Sequence, residues 1–125
     1  MRELTDRFID ALHRLHADRD VEPLAALFAA DATLSKLGDH NEEQGPEGAR
    51  RFWTDYRNVF DAIEATFTHT TSSDTSVALE WTSTGSLANG RSFSYAGVSV
   101  LEGDGSSITG FRTYYDSAAF VGEAA

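Results

Sequence analysis

Residues 77–101 read VALEWTSTGSLANGRSFSYAGVSVL, and this stretch decides the fold. Apolar and polar side chains alternate over residues 77–87 and again over residues 92–101, which is the period of a half-buried β-strand. Asn89 and Gly90 between the two runs form a strong hairpin signal, because both residue types tolerate the positive φ of a tight turn. The stretch therefore predicts two long antiparallel strands joined by a short turn.

The same alternation continues on both sides of this hairpin. Residues 63–70 and 108–118 are predicted to form two further strands, and turn sequences at residues 72–74 and 103–105 separate them from the central pair. Sequential hairpins of this kind predict a four-stranded antiparallel meander. The middle turn sets an expected register, in which Tyr95 lies opposite Ser83 and Gly97 lies opposite Trp81.

The N-terminal half has helical periodicity instead. Apolar residues recur every three or four positions over residues 3–17 and 47–61, and a shorter helix with Pro23 in its first turn is predicted up to about residue 30. A short strand over residues 31–37 and a polar loop over residues 38–46 lie between the second and third helices. This order predicts an α+β fold in which helices cover one face of a curved sheet and leave a concavity for a small ligand.

Composition and charge limit the classes of function. The chain has 125 residues, which fits one domain, and its 20 acidic and 10 basic residues give a formal charge of −10. That charge disfavours nucleic acid and anionic membranes as partners. The charged N-terminal segment resembles neither a signal peptide nor a membrane span. The absence of cysteine excludes disulfides and thiolate metal sites and fits a cytoplasmic location.

Four stretches carry a resemblance to a known family: LFAADAT at residues 27–33, GPEGARRFW at 45–53, VALEWT at 77–82 and ITGFRTYYD at 108–116. Through them the chain resembles the nuclear transport factor 2-like superfamily and, within it, the SnoaL-like polyketide cyclase family. The resemblance implies a cone-shaped α+β fold, with three N-terminal helices on a curved antiparallel sheet, as a single domain over residues 1–125. Because this fold hosts cyclases, isomerases, hydrolases, dehydratases and non-enzymes, the resemblance implies a small-molecule pocket more strongly than any one reaction.

The resemblance also names candidate catalytic residues. The last strand of the family ends in Tyr-x-Asp or Tyr-Phe-Asp, and in the cyclases this aspartate faces the pocket as an acid/base group. Asp116 matches it, and we expect desolvation among aromatic rings to raise its pKa. Tyr114 and Tyr95 are candidates to donate hydrogen bonds to a carbonyl or a developing enolate, although a core role is open for both. His69 is a second candidate, because some relatives place a pocket histidine on a strand.

The expected register of the last hairpin adds a ligand-binding face. If its turn centres near Asp104 and Gly105, Tyr114 lies opposite Tyr95 and Arg112 lies opposite Gly97, and a slip of one residue would invert the face. The predicted ligand-binding residues combine this face with two aromatic residues of the third helix: Trp81, Phe93, Tyr95, Arg112, Phe52 and Tyr56.

The leading hypothesis is a cofactor-independent acid/base enzyme acting on an apolar carbonyl compound, as a cyclase, isomerase or dehydratase. A non-catalytic ligand-binding or interaction domain is the first alternative, because relatives of this fold often lack a catalytic set. An epoxide hydrolase variant built from Arg112 and Asp116 is the second, weakened by residues 94–97, which lack the Arg-x-Asp pair of those enzymes. Phe8 and Lys36 stand where ketosteroid isomerases carry a tyrosine and an aspartate, so that activity is not expected.

The remaining predictions concern metals and partners. Residues 39–43 read DHNEE without the spacing of a calcium or zinc loop, so they predict a solvated loop and no metal. His13 and His16, three apart on the first helix, predict a solvated face. The resemblance implies a homodimer, and the bare face of the meander is expected to supply its interface through a set of small and apolar residues: Thr82, Thr84, Val98, Val100 and Phe111.

Overall fold

The computed structural model describes residues 1–36 and 41–120, so residues 39 and 40 of the predicted acidic loop lie outside it. Within the described residues the helices are α1 (Arg2–Asp18), α2 (Glu22–Ala25) and α3 (Gly45–Asn58). The strands are β1 (Phe28–Lys36), β2 (Glu43–Gln44), β3 (Phe60–Ser72), β4 (Ser76–Leu87), β5 (Ser92–Gly103) and β6 (Ile108–Tyr115). A short 3₁₀ helix (Ser117–Phe120) follows β6. In the part of the chain described here, no helix is long and apolar enough to cross a membrane.

The strands form one six-stranded sheet in the order β2-β1-β6-β5-β4-β3. The meander from β3 to β6 is antiparallel as predicted, but β1 pairs with β6 in parallel, so the sheet is mixed rather than wholly antiparallel. No hairpin constrains the β1–β6 pair, because α3 and four strands separate the two in the chain. The α+β class is confirmed, and the helices cover one face of the sheet, which we call the inner face.

The second helix is shorter than predicted. It ends at Ala25, and β1 begins at Phe28 instead of Asp31. The Leu27 carbonyl oxygen accepts a hydrogen bond from the Ile108 N–H at 2.8 Å, and Phe28 pairs with Ile108 in the sheet. Pairing with β6 therefore overrides the helical spacing of these residues.

The register of the middle hairpin is confirmed, since Tyr95 lies opposite Ser83 and Gly97 lies opposite Trp81. The register of the last hairpin is wrong by three residues, because Gly97 lies opposite Tyr115 rather than Arg112. The Asp104 carboxylate accepts hydrogen bonds from the backbone N–H groups of residues 106 and 107, at 2.9 and 2.8 Å, and in this longer turn Gly103 pairs with Ile108, which accounts for a shift of two residues. An irregularity between Gly103 and Glu102, where Glu102 pairs with Gly110, adds the third residue. Because the shift is odd, it exchanges the two faces of β6.

Two apolar clusters fill the space between helices and sheet. The larger one joins α1, α2 and α3 to the sheet and includes Phe8, Trp53 and Phe111, each at most 3% exposed. The prediction that Phe111 lies on the bare outer face is wrong, because the shifted register of β6 places it on the inner face. The smaller cluster lies toward the other end of the sheet and consists of Phe60, Ile63, Trp81, Phe93 and Tyr95.

Candidate functional site

A cavity of about 600 Å³ lies between the two apolar clusters, bounded by α1, α3 and the inner face of β3 to β6. Its walls are mainly aromatic and aliphatic side chains: Phe8, Leu12, Phe52, Trp53, Tyr56, Phe60, Ala65, Phe67, Trp81, Tyr95, Phe111, Tyr115 and Phe120. A cavity of this size and composition fits one small organic molecule.

The aromatic walls are held by ring-to-ring packing. Trp53 contacts Phe111 and Phe52 edge to face, with ring centroids 5.0 Å apart in both pairs. On the sheet side, Trp81 meets Tyr95 at 5.0 Å, also edge to face. Such contacts fix the rings beyond what burial alone does, so the walls are preformed.

A hydrogen-bonded chain of side chains lies on the sheet side of the cavity. The Trp81 Nε1–H donates to Ser99 Oγ at 2.9 Å, and Ser99 Oγ lies 3.0 Å from Thr113 Oγ1. All three residues line the cavity, together with the buried Ser83. The Trp81 indole and the two hydroxyl groups of Ser99 and Thr113 carry three protons, but only two hydrogen bonds join them. Because indole can only donate, one hydroxyl proton of Ser99 or Thr113 is left for another acceptor.

Two tyrosines complete this side. Burial, and then the neighbouring Tyr115, raise the pKa of the Tyr95 phenol, so Tyr95 keeps its proton at neutral pH. The rings of Tyr95 and Tyr115 meet at 5.6 Å, edge to face. The sheet side therefore offers hydroxyl groups in an otherwise apolar enclosure.

The helix side carries one polar pair. His16 Nε2 lies 2.7 Å from Tyr56 Oη, and His16 is only 6% exposed. Burial, then the charges of His13 and Arg57, lower the pKa of His16 to about 4, so its ring is neutral at neutral pH. The expectation that His16 lies on a solvated face is wrong, whereas His13 is exposed. His16 follows Phe8 and Leu12 at four-residue spacing, and this pattern was the available signal.

Charged and polar residues lie where the cavity opens to solvent. Lys36, Asn41 and Asp55 line the cavity and are exposed. Glu43 also lines it, and Arg51 donates to its carboxylate at 3.0 Å. We call Lys36, Asn41, Glu43 and Asp55 together the mouth of the cavity. In residues 1–36 and 41–120, no group of three or more His, Asp or Glu side chains is placed to hold a metal ion.

Four of the predicted ligand-binding residues line this cavity, namely Phe52, Tyr56, Trp81 and Tyr95. Phe93 is buried beside the cavity, in the smaller cluster, against Phe60 at 5.0 Å.

The candidate catalytic residues lie elsewhere. Asp116 is exposed, and its carboxylate accepts a hydrogen bond from the Ala118 N–H at 3.0 Å, so its expected position inside an aromatic pocket is wrong. Tyr114 and Arg112 point to the outer face, where Arg112 forms an ion pair with Glu102. His69 is exposed on β3 opposite Glu80.

The changed register explains both the displaced and the missed residues. With β6 shifted by three, Thr113 and Tyr115 take the inner-face positions that had been assigned to Arg112, Tyr114 and Asp116. Ser99, next to Thr113, was not singled out because an isolated strand serine carries no motif.

The fold, a helix-covered mixed sheet around an aromatic cavity, is that of NTF2-like proteins of known structure. A family model described as SnoaL-like domain matches residues 5–111, and the chain belongs to this family. No curated protein sequence is similar enough to this chain to extend that assignment.

Solved structures show the same fold at low sequence identity. An NTF2-like protein from Anabaena variabilis is 19% identical, with a TM-score of 0.84 over 94% of this chain and 90% of that one. TerC, co-crystallised with polyporic acid, is 16% identical, with a TM-score of 0.76 over 94% and 95%. A protein with a ketosteroid isomerase-like fold from Catenulispora acidiphila, in complex with trimethylamine, is 19% identical, with a TM-score of 0.78 over 90% and 87%.

Proposed function

We propose that this protein binds one small, largely apolar ring compound that carries acceptor oxygens, such as a ketone. The observation that carries the proposal is the aromatic cavity of about 600 Å³ with hydroxyl groups on its sheet side. Aromatic walls favour a flat apolar body, and the unshared hydroxyl proton of the Ser99–Thr113 pair favours an acceptor on that body.

Ligand-bound structures of similar fold support this use of the cavity. TerC was co-crystallised with polyporic acid, and the Catenulispora acidiphila protein was solved with trimethylamine. An amine cation would also meet aromatic faces favourably. The unshared hydroxyl proton on the sheet side favours an acceptor-bearing compound over an amine at that position.

Calorimetry with 2-acetylnaphthalene tests the proposal. Ala65→Phe places a ring inside the cavity, so we expect it to weaken binding by at least roughly tenfold, since it removes space that the ligand needs. Thr66→Phe is the matched control, because Thr66 is exposed on the same strand. Wild-type protein that binds neither this ketone nor naphthalene would contradict the proposal.

Cofactor-independent proton transfer on the bound carbonyl compound is the second candidate function, as cyclisation, isomerisation or dehydration. Asp55 favours it, because this carboxylate lines the same cavity as the tyrosine hydroxyls. In D₂O, NMR would follow deuterium entering the methyl group of 2-acetylnaphthalene. We expect exchange above background in the wild type and in Asp61→Asn, and its loss in Asp55→Asn.

If the wild type exchanges deuterium into the methyl group only at the background rate, the result would support the alternative of a non-catalytic binding protein. Exchange that depends on Asp116 rather than Asp55 would contradict the role given to Asp55. Arg112 and Asp116 lie outside the cavity, so no observation favours an epoxide hydrolase.

We also propose a cytoplasmic homodimer. The outer face of the sheet carries half-buried Val98 and Val100 beside exposed Thr82 and Thr84, and a partner would bury these apolar side chains. Glu80 lies opposite Val98, and Arg112, which pairs with Glu102, lies opposite Val100, so charged groups border this patch. Sedimentation at micromolar concentration tests it, and a monomer would be the contrary result.

A further inference from the structure

We propose that Tyr56 donates the hydrogen bond to the ligand's carbonyl oxygen on the helix side of the cavity, and that His16 is the positioning residue that turns its proton there. The inference rests on the proposed function and adds to it a second polar anchor, opposite the hydroxyl groups of the sheet. The observation behind it is the buried pair of His16 and Tyr56, which takes no part in ligand recognition by the sheet-side hydroxyl groups.

The geometry joins two helices. His16 on α1 and Tyr56 on α3 are 40 residues apart in the chain, with Nε2 and Oη at 2.7 Å and ring centroids at 5.8 Å. His16 is almost fully buried, and Tyr56 lines the cavity. The His16 Nδ1 atom is buried without a hydrogen-bond partner.

The unpartnered Nδ1 atom decides the direction of the hydrogen bond. A neutral imidazole carries one proton, on Nδ1 or on Nε2. A proton on Nδ1 would be a buried donor with no acceptor, and orphaned buried N–H groups are rarer than under-used acceptors. The proton therefore belongs on Nε2, from which it is donated to Tyr56 Oη.

This direction leaves the Tyr56 proton unshared. Tyr56 Oη accepts from His16, and its own O–H has no protein acceptor among the described residues. Burial raises the pKa of Tyr56, as does the nearby Tyr95 phenol, so the proton stays on the oxygen at neutral pH. Because Tyr56 and Tyr95 both line the cavity, an acceptor bound there meets donors from the helix side and from the sheet side.

This arrangement selects the chemistry of the ligand. A ketone oxygen has two lone pairs and accepts from Tyr56 without needing any acceptor in return. A protonated amine only donates, so it would leave the Tyr56 proton without a partner. The ligand class is therefore a carbonyl compound whose oxygen reaches the helix side of the cavity.

A matched pair of probes tests this selection. 2-Acetylnaphthalene and 2-isopropenylnaphthalene have nearly the same shape, and only the first has an acceptor oxygen. We expect wild-type protein to bind the ketone roughly tenfold more tightly, and Tyr56→Phe to reduce this preference to below about threefold, because only the sheet-side donors remain. His16→Met should reduce the preference to below about threefold, because the Tyr56 proton loses its fixed direction. His16→Gln, whose amide can donate to Tyr56, should restore it.

Two further measurements complete the test. His13→Met, an exposed change on the same helix, should keep the wild-type preference. In ¹⁵N-labelled wild-type protein, NMR should show His16 protonated on Nε2, and this readout needs no variant to fold. A proton on Nδ1, or a preference for the ketone that Tyr56→Phe leaves unchanged, would overturn the inference while the proposed function stands. Equal binding of both probes by the wild type would overturn both, because the proposed function also requires an acceptor oxygen. Failure of both probes to bind would overturn the proposed function itself.

Discussion

Burial of His16 has a consequence for stability as well as for the ligand. Its pKa is about 4 in the folded protein, against an ordinary value of 6.5, because burial and two neighbouring groups, His13 and Arg57, disfavour its charged form. Between these two pH values the unfolded chain binds a proton at this residue and the folded protein does not. Proton binding by the unfolded chain therefore lowers the free energy of unfolding as the pH falls from 6.5 to about 4. Below about pH 4 this loss is complete.

The size of this effect can be measured directly. We expect the His16 contribution to the free energy of unfolding to fall by roughly 3 kcal/mol between pH 6.5 and about pH 4. Urea unfolding across that range should show a shallower pH dependence for His16→Gln than for the wild type. His69→Gln, which changes an exposed histidine, should follow the wild type. Parallel pH profiles for wild type and His16→Gln would refute the assignment.

At the scale of elements, a buried arginine ties the end of α1 to the start of β3. Arg57 is 5% exposed and donates to the carbonyl oxygens of Leu15 at 3.2 Å, His16 at 3.1 Å and Phe60 at 2.9 Å. The last carbonyls of a helix lack partners within it, so Arg57 supplies a donor to the His16 carbonyl and a second donor to the Leu15 carbonyl, which also accepts from the Arg19 N–H. It also holds the backbone of His16 in place.

Without the Arg57 side chain, the contact between the end of α1 and the start of β3 should be less stable. We expect Arg57→Met to reduce the free energy of unfolding by about 2–3 kcal/mol, because three charge-assisted hydrogen bonds are lost and the His16 carbonyl is left without its donor. Thermal and urea unfolding measure the change. Arg14→Met is the control, since its ion pair with Asp20 is exposed at 3.7 Å and should contribute little. Equal loss in both variants would contradict the role of Arg57.

The elements themselves could be predicted from periodicity, but the arrangement of the site could not. Alternation places Trp81 and Tyr95 on one face, and the short Asn89–Gly90 turn fixes their register. The last turn is longer because the Asp104 side chain caps it, and an irregularity beside Glu102 shifts β6 by one residue more; a pattern of turn residues reveals neither feature. The resulting shift brings Tyr115 to the inner face and leaves Asp116 exposed. Pairings between distant helices, such as His16 with Tyr56, have no local signal.

At the scale of the molecule, the net charge of −10 acts on any ligand that approaches the mouth. Lys36 is the only lysine of the chain, and it lines a mouth that also holds Glu43 and Asp55. The field of the whole protein therefore disfavours anionic compounds, even where their apolar part fits the cavity.

This field predicts a salt dependence. We expect 2-naphthoate, the anionic analogue of 2-acetylnaphthalene, to bind more weakly than the ketone at low ionic strength. The difference in affinity between the two compounds should decrease with added salt, because salt at about 0.1 M screens charges that are more than roughly 10 Å apart. Calorimetry at low and high salt measures it. Tighter binding of the anion at low salt would instead indicate that Lys36 dominates the mouth.

The parallel pairing of β1 with β6 also bears on how the chain reaches its native state. The strands from β3 to β6 join by short turns, whereas Phe28 must find Ile108 across most of the chain. Closing such a long loop has a large entropic cost, so the β1–β6 contact is expected to form after the meander. Pulse-labelling hydrogen exchange during refolding would then protect the amides of β4 and β5 before those of β1. On that route, Lys36, which lies opposite Thr113 in the β1–β6 pair, reaches the mouth of the cavity only after the meander has formed.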